Sequence, residues 1–137
     1  MSGSSIVVSR CEDRGVTALP HLVAEFEIRS FVDRNGRIPF ETWFAVLRKQ
    51  GQAKVAFALS RLERGDRSHV KGVGDGVAEL KLDWGVGYRI YFRNDGPTLL
   101  ILLGGGMKKR RAEHIAAAKA RWADYKARKA ARGWSGR

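Results

Sequence analysis

The chain has 137 residues, 44% of them hydrophobic and 29% charged, which allows one domain with a packed core and excludes a disordered chain. Its 26 lysines and arginines outnumber the 14 aspartates and glutamates, so the net charge is +12. A surplus of this size on a small domain favours polyanionic partners, above all nucleic acid. The single cysteine excludes an internal disulfide and a cysteine-rich zinc site.

Hydropathy predicts neither a signal peptide nor a membrane-spanning segment. No apolar stretch follows the N-terminus, and the longest aliphatic run, Leu99–Leu103, is short. We therefore expect a cytoplasmic protein. Residues 1–21 lack sustained periodicity and are predicted to be a loose leader, with a short strand at residues 6–8, before a single domain at residues 22–137.

The first half of that domain predicts one strand and two helices. Residues 23–31 alternate between apolar and polar side chains, as a first strand does. A helix is expected to begin at Pro39 and to end at Gly51, and a second helix is expected over residues 52–64. Because the break between them is short, the two helices form an antiparallel hairpin. Their apolar faces carry Phe40, Trp43, Phe44 and Leu47, then Val55, Leu59 and Leu62.

The second half predicts an antiparallel meander and a basic C-terminal helix. Strands are expected over residues 77–83, 88–93 and 98–103, and the last is apolar on both faces, as a buried central strand is. Residues 104–106 are three glycines, interpreted as a tight exit from that strand. A helix over residues 110–131 follows, with Ile115, Ala118, Trp122 and Tyr125 on its packing face. The result is an α+β domain with its helices on one face of the sheet.

Charge and strand alternation together indicate where chemistry could occur. Residues 107–137 account for +9 of the net charge. In the meander, Lys81 and Arg89 are expected on neighbouring strands, on the face opposite the aliphatic side chains, with Tyr91 and Arg93 beside them. A concave surface of cations and an aromatic ring suits an RNA backbone, because cations neutralise phosphates and rings stack on bases. The alternative, an ordinary solvated charged face, remains open.

Motifs for other chemistries are missing from the sequence. There is no GxxxxGK[ST] loop, no GxSxG elbow and no HExxH, and the three histidines are scattered, so no metal site is predicted. Residues 104–106 follow a strand as a phosphate-binding loop would, but no Lys-Ser/Thr pair follows them. A nucleic-acid function is the one that the residues favour.

The stretch VKGVGDGVAELKLDWGVGYRIYF, residues 70–92, resembles the signature of the RelE/ParE toxin superfamily. It is most similar to the HigB-like addiction module killer branch. The aliphatic run before the three glycines, and the opening RIPFETWF of the first helix at residues 37–44, continue the pattern. The resemblance extends over about residues 23–128 and implies a RelE-like microbial ribonuclease fold.

The resemblance implies the toxin of a type II toxin–antitoxin system. Toxins of the RelE and HigB kind cleave mRNA in the ribosomal A site, against 16S rRNA, without a metal or another cofactor. The ribose 2′-OH attacks the adjacent phosphate and leaves a 2′,3′-cyclic phosphate and a 5′-OH. Expected partners are mRNA, the ribosome and a small helix-turn-helix antitoxin, with operator DNA bound only through the antitoxin complex.

Four residues match positions of the family's catalytic site. Arg89 matches the arginine that holds the scissile phosphate, and Lys81 matches a strand lysine that acts as base or stabilises the phosphate. Lys108 falls near the arginine after the glycine turn, which stabilises the transition state. His114 falls where RelE has a tyrosine, and an imidazole there could donate a proton. Glu79 departs from the pattern, because RelE has a second lysine at that position.

Further basic and aromatic residues are expected to contact RNA. They are Lys71, Trp84, Tyr91, Arg93, Lys109, Arg110 and Arg111. Two alternatives to an RNA-cleaving toxin stay open. One is a ParE-like inhibitor of DNA gyrase with the same fold, and the other is a non-catalytic module that binds nucleic acid or the ribosome.

Overall fold

The computed structural model describes residues 25–132, which form a five-stranded sheet with helices on both faces. The leader predicted at residues 1–21, with its strand at residues 6–8, lies outside the described residues. In chain order the elements are β1 (Glu27–Ser30), α1 (Pro39–Ala45), α2 (Lys49–Glu63), β2 (Val70–Gly74), β3 (Val77–Leu82), β4 (Tyr88–Asn94), β5 (Leu99–Met107) and α3 (Arg111–Ala131).

The strands lie in the order β1-β5-β4-β3-β2. The three strands of the predicted meander, now β3, β4 and β5, are antiparallel neighbours. The meander is matched only in part, because β2 adds an unpredicted antiparallel strand and β1 pairs with β5 in parallel. β2 was not predicted as a strand, because two of its five residues are glycines and only two are apolar. The strand predicted to be central, now β5, is second from the edge, and β4 is the middle strand.

The helical hairpin covers one face of the sheet, as the apolar spacing predicts. Leu80 and Leu82 of β3 and Ile90 and Phe92 of β4 are buried there against the hairpin. The first helix begins at Pro39, as expected, but ends at Ala45. Gly51 lies in the first turn of α2 and does not end a helix. A Cβ at this position would stand 2.8 Å from the hydroxyl oxygen of Tyr88, so the Tyr88 ring packs closely against Gly51.

The other face of the sheet is covered by α3, which corrects the prediction of helices on one face only. The predicted stripe on α3 is confirmed, since its side chains pack on that face. The physical reason was visible in β5, whose aliphatic side chains point to both faces and need cover on both. This second core contains Phe31, Val77, Tyr91, Ile101, Leu103, Ala118 and Trp122.

The three glycines at residues 104–106 belong to β5 and form neither an exit turn nor a phosphate loop. They give two side chains close access to the strand. A Cβ on Gly105 would overlap the ring of Trp43, and a Cβ on Gly106 would overlap the ring of His114. Neighbouring residues of a strand face opposite ways, so these rings rest on the two faces of the sheet.

We expect Gly105→Ala to lower the free energy of unfolding by about 1–3 kcal/mol, because the added methyl group overpacks the ring of Trp43. Urea denaturation of the purified protein measures this loss. Gly72→Ala is the matched control, since a Cβ at Gly72 in β2 meets nothing within 4 Å. It should change the free energy of unfolding by less than about 1 kcal/mol. Equal values for the two variants would contradict the proposed close contact.

Candidate functional site

The basic residues predicted to be catalytic come together at one end of the sheet. Lys81 of β3 stands directly opposite Arg89 of β4, and Arg89 stands opposite Gly106 of β5. The ring of His114, in the first turn of α3, lies on the backbone of Gly106. The side chains of Lys81, Arg89 and His114 therefore form a row that crosses β3, β4 and β5. With Lys108 they are called the basic cluster below.

Lys108 joins the row just after the end of β5. Its β-carbon and Nη1 of Arg89 each lie 3.3 Å from where a Cβ on Gly87 would stand, so the two side chains flank this glycine. Nη1 of Arg89 also donates a hydrogen bond of 3.0 Å to the carbonyl oxygen of Gly87. Gly87 has φ +80°, a conformation that favours glycine. The β3–β4 turn thus fixes Arg89 from one side.

Glu79 fixes Arg89 from the other side. It is 1% exposed, and its Oε2 lies 3.5 Å from Nε of Arg89, whose side chain is 8% exposed. Oε2 also accepts hydrogen bonds from the Tyr91 hydroxyl at 2.9 Å and from Nε of Arg111 at 2.8 Å, while Oε1 accepts from Nη2 of Arg111 at 3.1 Å. These four residues are called the Glu79 cluster. It connects β3, β4 and α3 beneath the basic cluster.

The hydrogen bonds of this cluster set the ionisation of its acids. Burial by itself raises the pKa of Glu79, but the hydrogen bonds from Arg111 and Tyr91 and the charges of Arg111 and Arg89 outweigh it and lower the pKa below 4.5. Burial and the Glu79 carboxylate raise the pKa of Tyr91 well above its usual value. Glu79 is therefore an anion held between two cations, and the Tyr91 hydroxyl stays protonated.

Tyr91 does not lie on an open face, which corrects its predicted role as an RNA contact. It is 1% exposed and packs beneath α3 with Leu103 and Trp122. The prediction failed because alternation gives the face of a side chain but not whether another element covers that face. Tyr91 is a core residue, and its ring is not available to stack on a base.

The other predicted RNA contacts differ in exposure and in whether the side chain already binds another group of the protein. Arg111 binds Glu79 with two nitrogens, and Arg110 donates to Glu113 at 2.8 Å. Arg93 is exposed but donates to the carbonyl oxygen of Gly76 at 3.2 Å. The remaining predicted contacts are Lys71 and Lys109, both exposed, and Trp84, which is half-buried against Tyr88.

Glu79 is the functional residue whose part the sequence reasoning missed. The resemblance flagged it only as a departure from the family pattern. The signal that could have found it is the alternation of β3, which places Glu79 on the same face as Lys81, opposite Tyr91. An acid on a face that turns out to be covered needs a cationic partner.

The arrangement is suited to a phosphodiester. Lys81, Lys108 and His114 reach the end of the sheet, where Lys81 is 52% exposed, Lys108 is exposed and His114 is half-buried. The N-terminus of α3, with its partial positive charge, lies at the same place.

Among residues 25–132 no three His, Cys, Asp or Glu side chains form a group that could hold a metal ion. No described helix is both long and apolar enough to cross a membrane.

Fold and site together define an α+β domain with a basic cluster at one end of its sheet. Over 83 residues the chain is 37% identical to an uncharacterised protein of Haemophilus influenzae, and the alignment covers 60% of this chain and 84% of that protein. The chain belongs to the same family as this Haemophilus protein. No family model matches the chain. No solved structure matches it either.

We expect Glu79→Ala to lower the free energy of unfolding by about 3–5 kcal/mol, because it leaves the buried Arg89 without its counter-charge. Glu79→Gln should cost less, since the amide oxygen can still accept hydrogen bonds from Arg111 and Tyr91. Urea denaturation checks both. Glu27→Ala removes an exposed carboxylate paired with Arg29 and should cost less than about 1 kcal/mol. A loss at Glu79 no larger than at Glu27 would show that the cluster does not stabilise the fold.

The lowered pKa of Glu79 also predicts a pH dependence. Its ordinary value is 4.5, and the folded value is lower, so the stabilisation is complete above about pH 4.5 and is lost as the pH falls through the folded value. Between about pH 5 and pH 3, the free energy of unfolding should therefore fall more steeply in the wild type than in Glu79→Gln. Other acids contribute equally to both proteins. Parallel slopes would mean that Glu79 titrates normally.

Proposed function

We propose that the protein is the toxin of a type II toxin–antitoxin system and a metal-independent endoribonuclease that cleaves mRNA on the ribosome. The observation that carries the proposal is the convergence of Lys81, Arg89, Lys108 and His114 at one end of the sheet. The resemblance of residues 70–92 to RelE/ParE toxins supports the same assignment. The net charge of +12 supports an RNA substrate, because cations on the protein release counterions from phosphates.

In the proposed reaction the 2′ oxygen of one ribose forms a bond to the adjacent phosphorus. The bond from that phosphorus to the 5′ oxygen of the next nucleotide breaks. The proton of the 2′-OH passes to a base, and the leaving 5′ oxygen receives a proton, so the products are a 2′,3′-cyclic phosphate and a 5′-OH. In between, negative charge builds up on the oxygens bound to the pentavalent phosphorus, and positioned cations stabilise it.

The basic cluster has a candidate for each part of this reaction. Arg89 holds the scissile phosphate, because the Gly87 carbonyl and the Glu79 carboxylate fix its guanidinium before substrate arrives. Lys108 stabilises the charge that develops on the phosphate. Lys81 takes the 2′-OH proton or neutralises a phosphate oxygen, and His114 gives a proton to the leaving oxygen. These roles follow the resemblance residue by residue.

Charges outside the cluster support docking on ribosomal RNA. Exposed cations lie on or beside α3, at Lys109, Lys126 and Arg132. Another exposed cation, Lys71, lies on β2. This basic surface would approach 16S rRNA around the A site in the cytoplasm. The same surface suits an acidic segment of a small helix-turn-helix antitoxin, which would supply the recognition of operator DNA.

A non-catalytic RNA-binding module is the second candidate, and one observation favours it. Glu79 neutralises part of the charge of Arg89, and little of Arg89 is exposed. A site of this kind could bind a phosphate without stabilising extra charge on it. Such a module would show salt-dependent RNA binding and no cleavage product.

Primer extension on a defined mRNA in a cell-free translation reaction tests the proposal. We expect the wild type to produce new 5′ ends. Arg89→Ala should lower their yield at least about 100-fold, since the loss of one donor to a developing anion costs that much. Arg89→Lys keeps a charge beside Glu79 and should cleave at a low rate. A reaction without ribosomes shows whether the ribosome is required. A second reaction without ribosomes, with EDTA added, shows whether a metal is required.

Arg48→Ala is the matched control for these variants. Arg48 is exposed before α2, and its side chain makes no hydrogen bond or ion pair within residues 25–132. It should cleave like the wild type. If translation proceeds and the wild type yields no new ends, the ribonuclease assignment is wrong. Inhibition of DNA supercoiling by gyrase would then favour the ParE-like alternative, and RNA binding alone would favour the second candidate.

A further inference from the structure

A cavity of about 190 Å³ lies at the edge of the sheet beside the basic cluster. Its floor is formed by Leu80 and Leu82, on the face that the helical hairpin covers. The neighbouring strand β2 begins only at Val70, opposite Leu80, so β3 extends past the end of β2 at this edge. The full lining is Lys54, Phe57, Ala58, Arg61, Asp66, His69, Leu80, Lys81, Leu82, Asp83 and Trp84.

Two aromatic side chains line this cavity. Phe57 projects from α2 and is 60% exposed, although most phenylalanines are buried. Trp84, in the β3–β4 turn, packs one side of its ring against Tyr88, with the ring centroids 5.7 Å apart. Both aromatic rings thus border an opening whose floor is aliphatic. This combination suits the face of a flat, unsaturated ring.

Polar groups surround the aromatic rings, and both signs of charge are present. The Lys54 ammonium lies 6.0 Å from the centroid of Trp84, and the Arg61 guanidinium lies 5.7 Å from that of Phe57. Arg61 is paired with Asp66. In the part of the chain that the structure describes, Lys54 has no carboxylate within ion-pair distance, so it can take up an anionic ligand.

We propose that this cavity binds a nucleobase of the RNA strand whose phosphate reaches Arg89. The inference rests on the proposed function for the identity of the strand. Lys81 provides the link, because it borders the cavity and stands opposite Arg89 in the neighbouring strand. A nucleotide carries a flat ring and an anionic phosphate side by side. This matches aromatic rings flanked by Lys54 and by Lys81, whose ammonium lies 3.7 Å from Asp83 at the rim.

The size and the mixed polarity of the cavity favour a base over an acidic peptide. At about 190 Å³ it is smaller than the roughly 300–1,000 Å³ of sites for drug-sized ligands, so it holds one ring system. Asp66 and Asp83 at the rim pair with Arg61 and Lys81, which lowers the positive charge available to an acidic peptide with its several carboxylates. The edge of a base, in contrast, carries both donors and acceptors and can use acids as well as cations.

The test measures binding of an RNA that cannot be cleaved. A short, labelled oligonucleotide with 2′-O-methyl sugars has no 2′-OH nucleophile. A second strand of equal length has the same 2′-O-methyl sugars but no bases. Fluorescence anisotropy gives the affinity of each for the wild type and for Phe57→Ala. We expect Phe57→Ala to bind the base-containing strand about 5- to 100-fold more weakly, as loss of one stacked base requires, and the abasic strand equally well.

Two further variants make the result specific. Phe57→Leu keeps an apolar side chain but no aromatic ring, and it should lose most of the same affinity. Val46→Ala trims an exposed apolar side chain elsewhere on the hairpin and should bind both strands like the wild type. Because Phe57 is 60% exposed, its variants should unfold in urea at nearly the wild-type midpoint.

Each of the remaining outcomes would overturn the proposal that the cavity binds a base. Equal affinity of Phe57→Ala and wild type for the base-containing strand would overturn the proposal, and so would an equal loss for both strands. Unchanged RNA affinity with weakened binding of a polyglutamate peptide would make the cavity a peptide site. Since these strands cannot be cleaved, the result is independent of the ribonuclease assay, and either proposal can fail without the other.

Discussion

One buried carboxylate holds together the parts of the molecule on which the site depends. Glu79 brings β3, β4 and α3 to a common point through Arg89, Tyr91 and Arg111. A charge buried this deeply is tolerated only when ion pairs and hydrogen bonds replace water, and here two guanidiniums and one hydroxyl do so. The ion pair with Glu79 and the hydrogen bond to the carbonyl oxygen of Gly87 hold the Arg89 side chain from two sides. The stability of the second core and the geometry of the basic cluster are therefore linked through one side chain.

Both faces of the sheet are covered, and this determines where a ligand can bind. The hairpin buries the aliphatic side chains of β3 and β4 on one face, and α3 buries Tyr91, Ile101 and Leu103 on the other. Neither face is open to a nucleic acid, so the accessible chemistry lies at the end of the strands. The candidate base cavity lies at the sheet edge beside it, and Lys81 borders both.

The sequence contained most of the fold and part of the site. Period-two alternation placed Leu80 and Ile90 in one core correctly and put Lys81 beside Arg89, because side-chain direction in a strand is a local property. The parallel pairing of β1 with β5 is a tertiary contact without a local signal. Burial of Tyr91 and Glu79 depends on where α3 packs, which alternation does not specify. The glycines of β5 were misread because glycine is typical of turns, whereas here two rings need the space.

Those glycines also determine how closely side chains from the two helical layers approach each other beside the site. Elsewhere in β5, side chains such as Leu102 and Leu103 lie between the strand and the helices that cover the two faces. At Gly105 and Gly106 the indole of Trp43 and the imidazole of His114 lie on opposite faces with only the strand backbone between them. The hairpin, through Trp43, and the N-terminal turn of α3, through His114, therefore both approach the backbone of β5 closely at this end. His114 and the cations beside it stand where only the backbone of β5 separates side chains of the two helical layers.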